Sequence, residues 1–139
     1  MALFLNACSN PNAKRVVNSD QAPAAIGSYS QAIQAGDMIY TSGQIALDPA
    51  TGEMVSSDIK AQTEQAMENL KKVIEAGGSD LSQVVKVTLY IKDMDDFSAI
   101  NEIYGSYFTD NYPARSCVEV SELPKGALIE IEAIAAVSK

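Results

Sequence analysis

The sequence predicts an α+β layer in which two helices pack on one face of a single mixed β-sheet. Three observations predict it. Apolar residues alternate with polar ones at period two in several separate stretches, and at helical spacing in two others. The order of these stretches is strands, helix, strand, helix, two strands. The length, 139 residues of which 47% are hydrophobic, suits one sizeable core and one domain. Residues 15–139 are therefore expected to form a single domain behind an N-terminal arm, 1–14.

The arm is apolar near its start, and Leu5-Asn6-Ala7-Cys8 faintly resembles a lipoprotein processing site. It lacks a basic region, and its apolar run is shorter than the roughly 7 to 15 residues of a signal core. It reads as a loose arm, with trimming of a longer precursor as the alternative. Residues 15–18 form a short strand, and 22–27 are a Pro, Ala and Gly segment. Residues 38–47 alternate, with Ile39, Thr41, Gly43, Ile45 and Leu47 on one face and Tyr40, Ser42, Gln44 and Ala46 on the other. Gly43 in mid-strand suggests a bulge or a close backbone approach. A turn follows at Asp48-Pro49-Ala50-Thr51-Gly52.

From Ser57 the period changes. Ile59, Thr63, Ala66, Leu70, Val73 and Gly77 form one helical stripe, capped by Ser57 or Asp58 at the start and by Gly77-Gly78 at the end. Period two returns over 84–92, with Val85, Val87, Leu89 and Ile91 on one face. A second helix, capped by Asp95 or Asp96, buries Phe97, Ile100, Tyr104 and Tyr107 or Phe108, and ends near Asn111 and Pro113. Strands over 115–120 and 128–137 close the chain.

Composition excludes several classes. A net charge of −8 with ten Lys and Arg argues against a nucleic-acid partner, which needs clustered cations that release counterions. It argues equally against an anionic membrane surface, and no run reaches the roughly 20 apolar residues of a membrane span. Histidine is absent, so proton transfer falls to carboxylates, Tyr, Lys, Cys or water. With no His and only Cys8 and Cys117, no zinc site of the usual type can be assembled within one chain and no metal cofactor is implied. Two distant cysteines are no disulfide framework, which points to a reducing compartment, the cytoplasm. An anionic substrate would be repelled by the overall field, so one of the two arginines must attract it locally.

Alternation places Arg115, Cys117 and Glu119 on one face of their strand, and Glu130 and Glu132 on the face opposite Ile129 and Ile131. Two readings of these charges stand. They coat an exposed sheet, where ion pairs contribute about 0 to 1 kcal/mol. Alternatively, they lie at a seam between subunits. With both helices on the Ile and Val face, the other face is uncovered and moderately apolar at Tyr40, Tyr90, Ile134 and Cys117, a surface that usually meets another chain.

The run Pro113-Ala114-Arg115-Ser116-Cys117-Val118-Glu119-Val120, then Leu123-Pro124-Lys125, then Ile129-Glu130-Ile131-Glu132-Ala133-Ile134-Ala135, resembles the C-terminal signature of the reactive intermediate deaminase (Rid, or YjgF) family. Ala22-Pro23-Ala24-Ala25-Ile26-Gly27-Ser28-Tyr29-Ser30-Gln31 and Thr41-Ser42-Gly43-Gln44-Ile45 resemble two further family segments. The likeness covers 15–137. It implies a chorismate-mutase-like α+β fold, a homotrimer with a cleft at each subunit interface, and hydrolysis of 2-imino or 2-enamino acids to 2-keto acids and ammonia without PLP or metal.

On that resemblance Arg115 fixes the carboxylate of an imino acid and thereby places its electrophilic C=N carbon. Each such charge-assisted hydrogen bond is worth about 1.5 to 3 kcal/mol. Glu130 orients and deprotonates the attacking water. Tyr29 closes over the substrate, Ser42 and the Gly43 backbone hold its polar end, and Cys117 lines the site, since no His is present to activate a thiolate. Asn101, on the polar side of the second helix, ranks last among the candidates. Three readings stand: an imine deaminase, a trimer that binds keto acids without turnover, and a ribonuclease or translation inhibitor, which the charge disfavours.

Overall fold

The computed structural model describes residues 13–138. Most of the expected arm, with Cys8, lies outside them; Ala13 and Lys14 are exposed and belong to no regular element. The chain then runs β1 (Arg15–Val17), β2 (Ala32–Ala35), β3 (Met38–Thr41), α1 (Ile59–Ala76), β4 (Val84–Ile91), α2 (Phe97–Ser106), β5 (Ala114–Glu119) and β6 (Ile129–Ala136). Six strands form one sheet in the order β1-β2-β3-β6-β4-β5. All pairings are antiparallel except that of β4 with β5, so the sheet is mixed, as the sequence predicts.

α1 follows its expected stripe. Thr63, Ala66, Leu70 and Val73 are buried, and the helix adds Met67 and Ile74, which widens the stripe into a face. Asp58 caps its start by accepting from the Ala61 amide. Gly77 at its end has no room for a side chain, because an added Cβ would lie 2.6 Å from Ile39 Cδ1. The core joins α1 through Met67 and Leu70 to Leu89 of β4, Ile100 of α2 and Ile129 and Ile131 of β6. A smaller cluster of Val17, Ala22, Ala32, Ile39 and Val73 closes the β1 end. No described helix is long and apolar enough to cross a membrane.

Four expectations are corrected. The strand over 38–47 stops at Thr41. Tyr40 pairs with Ile134, but the next bridge joins Gln44 to Ile131, so four residues of one segment oppose three of the other. That bulge inverts the alternation, and Gln44 and Ala46 are buried where Gly43 and Ile45 were expected. A second bulge, between Val84 and Lys86, turns Val85 outward and Val84 inward. β2, not foreseen as a strand, is joined to β3 by the Gly36-Asp37 turn, with Gly36 at φ +59°. The entry to α2 is a 3-10 turn, Met94–Asp96, capped by the Asp93 side chain on the Asp95 amide, while Asp96 holds the N-cap position of α2 without a side-chain hydrogen bond.

Side-chain amides fix the irregular segments. Asn69 donates to the carbonyls of Ile45 and Leu47 and accepts from Gln65. Gln31 accepts from the Ser19 amide and donates to the Pro23 carbonyl. Both are buried, and each satisfies backbone groups that no strand partner reaches.

Candidate active site

Parallel pairing of β5 with β4 puts Arg115 beside Val87 and Cys117 beside Leu89. Val87 and Leu89 are core residues under the helices, so Arg115 and Cys117 project to the helix side of the sheet. This corrects the expectation that Cys117 belongs to the uncovered face: it packs against the main core. β5 is the edge strand beside the end of α2, and that edge leaves Arg115 half-buried rather than sealed.

Phe97, Asn101 and Tyr104 recur at i, i+4 and i+7 and therefore share one face of α2. The Arg115 guanidinium lies over two of them, 4.6 Å from the centre of the Tyr104 ring and 5.4 Å from that of Phe97. Cation–π attraction to two rings holds the head of a long, otherwise flexible side chain. Phe97, expected in the buried stripe, is 36% exposed, since it ends against Arg115 instead of the core. Arg115, Tyr104, Asn101, Gly105, Tyr112 and Pro113 line one cavity of about 480 Å³. Asn101 thus faces the cleft it was ranked last for. The sequence reading missed Tyr104 and Tyr112 there, although the i, i+4, i+7 spacing from Phe97 was the available signal for Tyr104.

Glu130 lies on the other face. It pairs with Tyr90 of β4, while its neighbours Ile129 and Ile131 enter the core. The bulge after Thr41 brings Gly43 against it: an added Cβ on Gly43 would fall on Glu130 Oε1 and lie 2.5 Å from its Cδ and 2.7 Å from its Cγ. Glycine is required here by approach rather than by backbone angle. Burial raises the Glu130 pKa above the ordinary carboxylate value, and the neighbouring charge of Glu132 raises it further. Glu132 itself accepts from the Tyr90 hydroxyl at 3.1 Å. Among the described residues, no ion pair or hydrogen bond engages the Glu130 carboxylate.

Ser42 joins this second group. Its hydroxyl donates to the Ser30 carbonyl at 2.6 Å and its amide to the Gln31 carbonyl, which ties the 28–31 segment to the bulge. Tyr29 stands exposed on that segment, its hydroxyl accepting from the Ile26 amide. The candidate residues therefore divide. Arg115, Asn101 and Cys117 lie on the helix side, whereas Glu130, Gly43 and Ser42 gather at the bulge, with Tyr29 on the segment that Ser42 ties to it. Arg115 and Glu130 face away from each other across the sheet.

Burial also raises the Cys117 thiol, against a lowering pull from Arg115, and a buried protonated thiol is a poor nucleophile. Among the described residues, no group of three or more His, Cys, Asp or Glu is placed to hold a metal ion.

Residues 19–137 match the family model described as endoribonuclease L-PSP. A RutC family protein of Pyrococcus horikoshii is 56% identical over 122 residues, covering 88% of this chain and 97% of its own. The human 2-iminobutanoate/2-iminopropanoate deaminase is 46% identical over 122 residues, covering 88% and 89%. Among solved structures, that of E. coli TdcF with bound serine superposes with a TM-score of 0.85 at 42% identity, over 89% of this chain and 99% of that one.

Proposed function

This chain belongs to the Rid/YjgF family, whose model is the endoribonuclease L-PSP one, and on that premise we propose that it hydrolyses reactive 2-imino and 2-enamino acids to 2-keto acids and ammonia, as a cytoplasmic homotrimer without cofactor. One observation carries this reading: a half-buried carboxylate, Glu130, lies against Gly43 with its proton affinity raised and, among the described residues, without a cation or hydrogen-bond donor. A carboxylate kept for stability would be paired. One shifted toward neutrality and left free suits general acid–base work.

The reaction needs an anchor, a base and a route for protons. Arg115 supplies the anchor: its planar fork takes the substrate carboxylate and sets C2 at a fixed distance from it. Glu130 takes a proton from water as the oxygen bonds to C2, the C=N electron pair passes to nitrogen, and Glu130 returns that proton to the nitrogen. The tetrahedral adduct collapses as the new hydroxyl gives its proton, again by way of Glu130, to the amino nitrogen; C=O forms, the C–N bond breaks and ammonia leaves. Ser42 and the Gly43 backbone hold the polar end of the substrate, Tyr29 covers it, and Cys117 and Asn101 line the walls.

Arg115 and Glu130 occupy opposite faces of one sheet, so they meet around one small substrate only if different copies supply them. On this reading one protomer gives Arg115, Asn101 and Cys117, and its partner gives Glu130, Gly43, Ser42 and Tyr29. The open face, with Tyr40 exposed and Tyr90 and Ile134 half-buried, is the surface such an assembly would cover. The human relative's name as an imine deaminase agrees with the proposal. The ribonuclease reading meets a net charge of −8, which opposes a polyanion.

The test couples the protein to a PLP-dependent threonine dehydratase and follows 2-oxobutanoate formation in the presence of a scavenger amine. Faster keto acid release, lost in Glu130→Gln, supports turnover. No acceleration over buffer sinks it. Retained ligand binding without turnover would return the protein to the class of keto-acid-binding regulators.

A further inference from the structure

Tyr104 carries the single buried side-chain nitrogen or oxygen, among the described residues, that has no hydrogen-bond partner. The residue is 3% exposed. Its ring has an evident use: it packs 4.9 Å from Phe108 on the core side and supports the Arg115 guanidinium. Its hydroxyl has none among the described residues. Phenylalanine would provide the same packing without leaving a buried donor unsatisfied, which is unfavourable. A group of this kind points to something that completes it.

Position suggests what that is. Tyr104 forms the wall of the cavity that Arg115 and Asn101 also line. The only other arginine, Arg15, is engaged by Gln34 and the Gly77 carbonyl, whereas the Arg115 fork makes no hydrogen bond among the described residues. A carboxylate has about four lone-pair sites, and a bidentate guanidinium uses two of them. A further donor therefore fits beside Arg115, and a phenol held against the guanidinium is placed to be that donor.

We infer that the Tyr104 hydroxyl is a second hydrogen-bond donor to the substrate carboxylate gripped by Arg115, left unpaired until the anion enters. The inference rests on Arg115 being the carboxylate anchor. Burial pushes the phenol pKa up to about 12, against the opposing pull of Arg115, so the group keeps its proton at neutral pH. It donates to an anion and does not compete with it for the cation. Tyr104 is thereby a binding and positioning residue, outside the proton transfers assigned to Glu130.

The experiment measures 2-oxobutanoate binding by calorimetry and the ligand-free Tm for the wild type, Tyr104→Phe and Arg115→Ala. Tyr104→Phe is expected to weaken binding about ten-fold or more while leaving the ligand-free Tm equal or higher, because no existing bond is removed. Arg115→Ala is expected to abolish measurable binding. Unchanged affinity in Tyr104→Phe, alongside loss in Arg115→Ala, overturns the second donor and leaves the anchor standing. A fall in the ligand-free Tm of Tyr104→Phe overturns it too, since the hydroxyl would then have a structural partner. A wild type that does not bind the keto acid removes both readings.

Discussion

Gly43→Ala adds one carbon at a point where the structure leaves no space, and the consequence is expected to be functional rather than structural. The added Cβ would fall on the Glu130 carboxylate and lie 2.7 Å from Glu130 Cγ. Ordinary carbon contacts are about 3.5 to 4.0 Å, so Cγ must retreat by about 1 Å and the carboxylate by more. Gly43 does not occupy the left-handed region, so alanine introduces no backbone strain. It removes unfolded-state freedom worth about 0.4 to 1 kcal/mol, against about 0.5 to 1.5 kcal/mol for a displaced Glu130 rotamer. The two nearly offset, and Tm should stay within about 5 °C of wild type. A misplacement of about 1 Å costs on the order of 100-fold in rate, and a general base contributes about 10² to 10⁴. The assay is kcat/KM for imine hydrolysis in a double-mutant cycle with Glu130→Gln. Gly43→Ala should fall about 100-fold, and adding it to Glu130→Gln should cost little more, since both act through one carboxylate. Wild-type activity in Gly43→Ala, or full additivity of the two losses, would refute the placement of Glu130 in the chemistry.

Arg115→Lys keeps the charge and loses the planar fork. The loss of one charge-assisted hydrogen bond, about 1.5 to 3 kcal/mol, should raise KM roughly 10- to 150-fold, and steady-state kinetics with an unchanged KM would contradict the anchor. Glu132→Gln removes a like charge that raises the Glu130 pKa, although burial is the larger cause. Because the base works ionised, activity falls as pH drops through that raised pKa, so the variant should shift the acid limb of the kcat/KM profile to lower pH; an unmoved limb would count against Glu130 as the base. Cys117, its thiol raised by burial, should remain protonated near neutrality, so Cys117→Ala should retain most of its turnover, and peptide mapping should show slow alkylation of the Cys117 thiol by iodoacetamide at pH 7. Near-complete loss of turnover in Cys117→Ala would make the thiol a nucleophile after all.

Much of the fold was legible because buried faces enforce a period. The α1 stripe and the alternation in β6 survive folding intact, since the inward-facing residues of each element meet the packed interior along its whole length. The readings failed where the chain departs from a constant period. Two bulges, one after Thr41 and one at Val85, each shift the side-chain faces by one residue, and no single residue type announces such a shift. Gly43 is the one local sign, and the sequence reads it as a bulge or a close backbone approach; both are present, but the group approached, Glu130, lies 87 positions away in the sequence. Arg115 was assigned the right strand face relative to Cys117, yet the wrong side of the sheet, because only the parallel pairing of β5 with β4 decides which face meets the helices.

That last distinction governs how the proposed chemistry is wired to assembly. A guanidinium and a carboxylate on the same face, within a few ångströms, would pair with each other, and each would blunt the other's affinity for substrate and proton. Here the sheet separates them. Arg115 rests on aromatic rings, which hold a cation without neutralising it, and Glu130 rests beside a like charge that keeps its proton affinity high. Both groups are thus held in their reactive forms by surroundings that an internal salt bridge would have destroyed. On the proposed reading, subunit contact then brings them to opposite ends of one small substrate, with the carboxylate at Arg115 and the C=N carbon near Glu130. The substrate itself fills the gap between them, so the ion pair that a single chain avoids is avoided in the assembled cleft as well.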